Sequence, residues 1–457
     1  MRSTLMFNMF CMNTPGHVHQ GAWRHPDNRI HEHNSLAFWL DMAKLLEGGK
    51  FDAIFFADAA GLYPKWHGSW NVIMGKAVQF PNGDPMALVS GLAAVTEHLS
   101  FVVTSSVLQH PPFSFARTAS TLDHVTNGRF GWNIVTSFME NAALNVGLRM
   151  MTEHDERYRW ADEYVEVAYK LWEHSWEDDA LVVDREKGVY TDAAKVHLIN
   201  HVGPRYTVPG PHLVPPSPQR TPALFQAGTS AAGRAFAARN AEGIFMIARS
   251  PRAAASAIAE IKSRATRFGR DADQMHFIQG LTFVVGSTEE EARRKEAELD
   301  EVIDGEAMVA TFAGSIGLDL STADPAEPLA ELVKRLPGIR GSVQSLLDSL
   351  PPGSAPTVED LARFNGRYWR VTGTPDQIAD ALEDWRAAGI TGVNVMSMLT
   401  PGTYTDFIEQ VAPELQRREL MQREYLPGTL REKMFPGAGP RLPVAHPARR
   451  KPSPEPV

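Results

Sequence analysis

Eight short apolar runs recur along the chain, and each is followed by a segment with helical spacing. The runs are LMFNMF (5–10), FDAIFFAD (51–58), LSFVVTSSV (99–107), RFGWNIVTS (129–137), PALFQAG (222–228), GIFMIA (243–248), FIQGLTFVVG (277–286) and GVNVMS (392–397). Helical patterns lie between and after them, at 35–48, 85–97, 114–126, 153–175, 230–241, 252–269, 288–303 and 374–388. Runs that are apolar throughout mark strands buried on both faces, and strand–helix repetition builds a parallel sheet covered by helices. Eight such units predict an α/β fold of the (β/α)8 TIM-barrel type; an open doubly wound sheet gives the same linear pattern and is the second reading.

Two stretches break this rhythm. Residues 176–221 are rich in Pro, Gly and His, and residues 304–360 carry Gly, Ser and Pro clusters. Loops of this length inside a compact domain are lids, binding elements or disordered segments. A single domain over 1–436 with these two insertions is therefore expected, followed by a Pro-rich tail, 437–457, that reads as unstructured.

Composition narrows the function classes. Charged residues make up 22% and the net charge is −9, so no basic excess points to nucleic acid, and no apolar run is long enough to span a bilayer. The N-terminal TLMFNMFCM has little basic flank, Arg2 alone, and no small-residue cleavage site follows, so it reads as the first strand rather than a signal core. A lone cysteine, Cys11, rules out an intrachain disulfide framework and any cysteine-rich metal site; a reducing cytoplasm is the expected setting.

In a barrel the site lies at the C-terminal ends of the strands. Those ends carry Asp58, then Thr104, Ser105 and Ser106, then Asn133, Thr136 and Ser137, then Gly228, Thr229 and Ser230. Each of these could simply cap the following helix. Four successive polar ends argue instead for a hydrogen-bonding rim. The stretch AGTSAAGRAFAAR (227–239) adds a glycine for close backbone approach and a hydroxyl opening a helix, a setting in which a phosphate fits. Along MTEHDERYRWADEY (151–164), Thr152 and Asp155 are spaced as a capping box, and His154 and Tyr158 share one helix face in the first turns.

One competing pattern is HVH (17–19) after the first strand, the arrangement by which metal-dependent barrel hydrolases hold a metal. Such a site needs further ligands at later strand ends, and those ends read NIVTS, AGTS, MIARS and VMSM. No metal site is expected. Nor does a GxGxxG or GxxxxGK[ST] fingerprint follow any strand, so the chain shows no dinucleotide fold of its own.

The runs GRFGWNIVTS, EHDERYRWADEYVEVAYKLW, YTDAAKVHLINH, VPPSPQRTPALFQAGTSAAGRAFAARNAEG and FDAIFFAD, spread over about residues 5–435, resemble the bacterial-luciferase-like two-component flavin monooxygenases. The branch is that of nitrilotriacetate, dibenzothiophene-sulfone, dimethyl-sulfide and long-chain alkane monooxygenases. Its alkane-oxidising members look nearest, through GHVHQGAWRHP (16–26) and WEDDALVVDREKGVYTDAAKVH (176–197). The resemblance implies a barrel that uses reduced FMN (FMNH2) and O2, through a C4a-peroxyflavin, to oxygenate a small substrate. The electrons would come from a separate NAD(P)H-dependent flavin reductase, and the chain would be a homo-oligomer, dimer or tetramer. It also implies cofactor contacts at Asp58, Thr104, Asn133, Ser137, His154, Tyr158, Thr229 and Ser230.

For such chemistry the protein must bind, orient and shield the cofactor. Phe10, Met12, Phe56, Trp132, Phe138 and Met139 are candidates for an apolar wall, with ordinary core packing as the alternative for each. His17 is the candidate proton donor or substrate contact, as a group that titrates near neutral pH. Thr14 and Phe138 stand where the alkane-oxidising relatives carry a cysteine and a histidine, which puts alkane oxidation in doubt. An apolar or sulfur-containing substrate fits these ends best. An aminopolycarboxylate or other xenobiotic would need cations such as Arg205, Lys334 or Arg340 brought over the mouth. A flavin-binding protein without catalysis is the remaining alternative.

Overall fold

A parallel sheet with both faces apolar must remove its edges, and closure on itself does so. The computed structural model describes residues 3–228, 230–315, 317, 319–335, 354–361 and 369–450. Eight parallel strands form a closed barrel: β1 Met6–Cys11, β2 Ala53–Phe56, β3 Ser100–Ser106, β4 Phe130–Val135, β5 Ala223–Gln226, β6 Gly243–Met246, β7 His276–Val285 and β8 Gly392–Met396. They pair in sequence from β1 to β7; β8 lies between β7 and β1 and closes the ring. All eight runs expected to be strands are barrel strands, and the doubly wound reading is set aside.

Two apolar layers hold the barrel. Inside it, Met6, Phe10, Phe55, Phe225, Phe245 and Met396 pack together. Outside, residues of the opposite strand face, such as Phe7, Phe56 and Trp132, pack under the helices. Full burial of each large side chain contributes roughly 2 kcal/mol. At Gly131 the first atom of a side chain would lie 3.0 Å from the Phe225 ring and 3.1 Å from Leu430, so β4 needs a residue without one there.

The floor of the barrel is closed by the C-terminal part of the chain. The short helix Leu430–Met434 starts at a capping box formed by Thr429 and Glu432, and sends Leu430 and Met434 into the interior cluster. Between them Arg431, 1% exposed, makes a bidentate pair with Glu242, which is 2% exposed, at 2.6 and 2.9 Å. The guanidinium also donates to the carbonyls of Gln219, Thr221, Pro222 and Pro440. Every donor is used, the condition under which a buried charge is tolerated.

Both insertions contain ordered structure. The first holds two small hairpins, Leu181–Asp184 with Val189–Thr191 and His201–Val202 with Thr207–Val208. The second contributes the helices Gly305–Ser315 and Leu329–Arg335, which pack with Tyr63, Trp66, Ile73 and Met139 as a second apolar cluster beside the barrel mouth. Lys76 ties that cluster down by bridging Asp304 at 3.0 Å and Glu306 at 2.7 Å.

The expected unstructured tail is corrected over 437–450. Leu442, His446 and Ala448 are buried there, and the segment runs against the barrel's outer helices. The His446 Nε2–H donates to the Asn240 carbonyl at 2.9 Å while Nδ1 accepts from the Ala448 amide, and His174 and Arg450 add bonds to Ala448 and Phe268 carbonyls. Three well-spaced small or apolar contacts outweigh the proline content. No described helix is long and apolar enough to cross a membrane.

Replacing Arg431 with Met leaves the Glu242 carboxylate buried without its partner. We expect a loss of about 3 kcal/mol of stability, measurable as a lowered midpoint in urea unfolding; an unchanged midpoint would show that the floor does not depend on this pair.

Candidate active site

Because all strands run the same way, their C-terminal ends share one rim, opposite the floor that Arg431 closes. A cavity of about 440 Å³ opens there, between the ends of β2, β3, β4 and β5 and the helix His154–Tyr169. That volume lies in the range of small-molecule and cofactor sites. Of the expected cofactor residues, Asp58, Ser137, His154, Tyr158 and Ser230 line it. Thr104 and Asn133 are buried within the barrel mouth, where the Asn133 amide donates to the Thr104 hydroxyl at 2.8 Å and the Asn133 carbonyl oxygen has no partner among the described residues. Thr229 lies outside the described residues.

The wall at β5 is shaped for close approach. Ser230 caps the helix Ala231–Asn240, its hydroxyl accepting from the Gly233 amide at 3.0 Å. A side chain at Gly228 would lie 2.8 Å from the Gly233 backbone and from the Tyr158 hydroxyl, and one at Gly233 would lie 2.7 Å from the same hydroxyl. Both glycines are thus required for Tyr158 to sit over this turn.

The facing helix begins differently from expectation: Glu153 is its N-cap, with no side-chain cap, so the capping box read at Thr152 and Asp155 is corrected. Thr152 instead offers its carbonyl to Arg157 Nη1 at 2.7 Å. Arg157 is the site residue the sequence reading missed. It is 9% exposed, lines the cavity beside Tyr158 and leaves its Nε without a hydrogen-bond partner among the described residues. Its spacing from His154, three residues along the same face, was the available signal. Burial lowers its pKa, and an anion in the cavity would compensate that cost.

His154 is half-exposed, bonds Asp155 at 2.7 Å and meets the Tyr158 ring edge-on at 5.3 Å. Ser137 adopts a left-handed backbone (φ 57°), which re-aims the chain as it leaves β4. Next to it Phe138, 48% exposed, lines the same cavity and packs edge-on against Tyr63 at 6.3 Å. Met139 closes the wall. The carboxylate of Asp58 accepts from Asn82 at 2.9 Å and Gln109 at 3.0 Å, and burial raises its pKa.

A second, smaller cavity of about 30 Å³ lies at the ends of β1 and β8. Phe10, Met12, Thr14 and His17 meet there, and the Thr14 hydroxyl is buried without a partner. The His17 ring lies over Phe10, centroids 4.9 Å apart. It keeps some accessible surface inside the cavity, yet burial lowers its pKa to about 3. The expectation of a group titrating near neutrality is therefore corrected: His17 is a neutral imidazole at pH 7. His19 is turned away to the Thr282 hydroxyl at 3.0 Å. No group of three or more metal-ligating side chains occurs among the described residues.

Two wall candidates are also corrected. Phe56 is fully buried against Trp39, rings 5.2 Å apart, and Trp132 packs on Phe115 at 4.4 Å. Both point outward from the barrel, because strand residues alternate in direction and Phe10 and Phe55 already occupy the inner face. Of the cations considered over the mouth, Arg205 is paired with Glu156 and stacked on Trp160, and Lys334 is exposed and paired with Glu331; Arg340 lies outside the described residues.

Comparison with known proteins places this arrangement. The chain is 41% identical to the long-chain alkane monooxygenase of Geobacillus thermodenitrificans, over 98% of each chain, and 42% identical to the dimethyl-sulfide monooxygenase of Hyphomicrobium sulfonivorans, over 98% of this chain and 94% of that one. Crystal structures of a long-chain alkane monooxygenase and of the Hyphomicrobium enzyme superpose with TM-scores of 0.90 and 0.91, covering at least 98% of each chain. A riboflavin lyase solved with modified FMN and riboflavin is 36% identical, with a TM-score of 0.86 over 97% of this chain and 98% of that one. Residues 6–392 match the family described as luciferase-like monooxygenase, and the chain belongs to that family.

Proposed function

We propose that this protein is an FMNH2-dependent monooxygenase that inserts one atom of O2 into a small apolar or sulfur-containing organic molecule. The observation that carries this reading is the main cavity, where the buried guanidinium of Arg157, whose Nε has no hydrogen-bond partner among the described residues, shares a wall with the glycine turn and hydroxyl cap of the helix Ala231–Asn240. Helix N-terminal amides together with a buried cation favour a phosphate. Arg157, Ser230 and Tyr158 would hold that phosphate, while Asp58, Ser137 and Asn133 would meet the polar groups of the flavin. Relatives named for alkane and dimethyl-sulfide oxidation, and one solved with modified FMN, support the same reading.

When bound, reduced flavin supplies the activation of O2. The chain's own residues bind it, orient it and exclude water. Phe138, backed by Tyr63, and Met139 form the apolar side of the cavity, and the insertion helix Gly305–Ser315 brings Ser315 to its edge. His17, held neutral, can donate or accept a hydrogen bond without carrying charge into an apolar pocket. Reduced flavin must come from elsewhere, since no nicotinamide-binding fingerprint occurs in the sequence; we assign its supply to a separate NAD(P)H-dependent flavin reductase.

The central test supplies photoreduced FMN and isotopically labelled O2 with a panel of thioethers, sulfones, alkanes and aminopolycarboxylates. One labelled oxygen atom in a thioether, sulfone or alkane product is expected; tight FMN binding with no label in any product would leave only the binding role.

Substituting Arg157 with Gln or Ser230 with Ala should weaken FMN binding, by about tenfold for the charged contact. Titration of flavin fluorescence measures this, and unchanged affinity in both variants would remove the phosphate from this wall. Since His17 is neutral above a pKa of about 3, His17→Asn should leave the shape of the activity profile between pH 5 and 8 unaltered even where it lowers the rate. Loss of a titration step in that window would show that the imidazole does ionise.

A further inference from the structure

Gln109 lies in the turn just beyond β3, and its side chain folds back onto the strand it has left. Its Oε1 accepts from the Ser106 amide at 2.5 Å and from the Ser105 hydroxyl at 3.3 Å. With that oxygen engaged by two donors, the amide has one orientation: reversing it would set its NH2 against the Ser106 N–H. The Nε2 group therefore faces Asp58 and donates to its Oδ2 at 3.0 Å. Asn82 is fixed in the same sense, because its Nδ2 meets two acceptors, Asp58 Oδ1 at 2.9 Å and the Ala59 carbonyl at 3.1 Å. Both oxygens of Asp58 thus receive donors that cannot become acceptors, a shell built for a carboxylate and not for a carboxylic acid.

No cation pairs with Asp58 among the described residues. Asp84, on its own loop, is the charged group that acts on it, and as a like charge it favours protonation, as burial does. Across the cavity, the facing helix presents His154, Arg157 and Tyr158, none of them bonded to Asp58. The side-chain amides of Gln109 and Asn82, in that order, and then the Ala59 backbone amide oppose these effects.

We propose that Gln109 is a positioning residue, which holds Asp58 as an oriented, ionised acceptor in the main cavity for an N–H or O–H of the bound ligand. The sign follows from linkage: an acceptor carboxylate serves above its pKa and is lost as pH falls through it, so removing a donor moves that loss to higher pH. That the ligand is FMN rests on the function proposed above; the role of Gln109 toward Asp58 does not.

The experiment follows the Asp58 carboxyl carbon by NMR in protein labelled at aspartate, with Asp58→Asn to assign the signal. Gln109→Leu should raise the Asp58 midpoint by about one pH unit, and Gln109→Glu, which places a second carboxylate against the first, should raise it further. In parallel, the acid limb of FMN affinity should move up by the same interval in each variant. A midpoint that stays put in both folded variants overturns the proposal. Raised midpoints in protein that binds no FMN at any pH would uphold the role of Gln109 and overturn the flavin reading instead.

Discussion

The buried pair between Arg431 and Glu242 decides which end of this barrel can be a site. One carboxylate and four carbonyl groups converge on one guanidinium at the N-terminal ends of β5 and β6, and the helix that carries it fills the floor with Leu430 and Met434. With that end sealed, polar side chains that reach the interior from the opposite ends of the strands have one place to face. The rim is thus a product of closure below as much as of the residues above.

Around that rim the chemistry is divided by position. The ends of β2 to β5 contribute hydroxyls, amides and one carboxylate, and the helix His154–Tyr169 the Arg157 guanidinium, to a roomy cavity, whereas β1 and β8 contribute Phe10, Met12 and His17 to a tight one. Polar groups without protein partners, including the oxygen of Asn133, the Thr14 hydroxyl and the Arg157 Nε, occur in both regions. Such groups are costly in a folded core, and a ligand that bonds them removes that cost.

Most of the architecture could be read from the sequence because it rests on periodicity. Eight runs apolar throughout gave eight strands, and the rim residues Asp58, Ser137 and Ser230 fell where those runs turned polar. Periodicity did not resolve which face a strand residue takes, so Phe56 and Trp132 were read as wall residues when they pack outward. Nor could it give the environment that sets ionisation: His17 has the residue type of a neutral-pH titrating group but lies in a pocket that keeps it uncharged. An arginine in a helix rich in charged residues reads as solvated, whereas Arg157 is 9% exposed in the fold and lines the same cavity as Gly228, far away in sequence. The tail misled through composition alone.

The placement of the floor has a consequence for the order of synthesis. Glu242 enters the barrel wall 189 residues before the arginine that balances it leaves the ribosome. A nascent chain that has made every strand through β8 still holds at its base a carboxylate without its cation, bonded to the Leu224 amide alone, and an open lower end to its apolar interior, where water and other chains have access. Completion of this barrel therefore waits for the last part of the chain, and the same segment that looks like an afterthought in the sequence is the one that turns a ring of strands into a vessel.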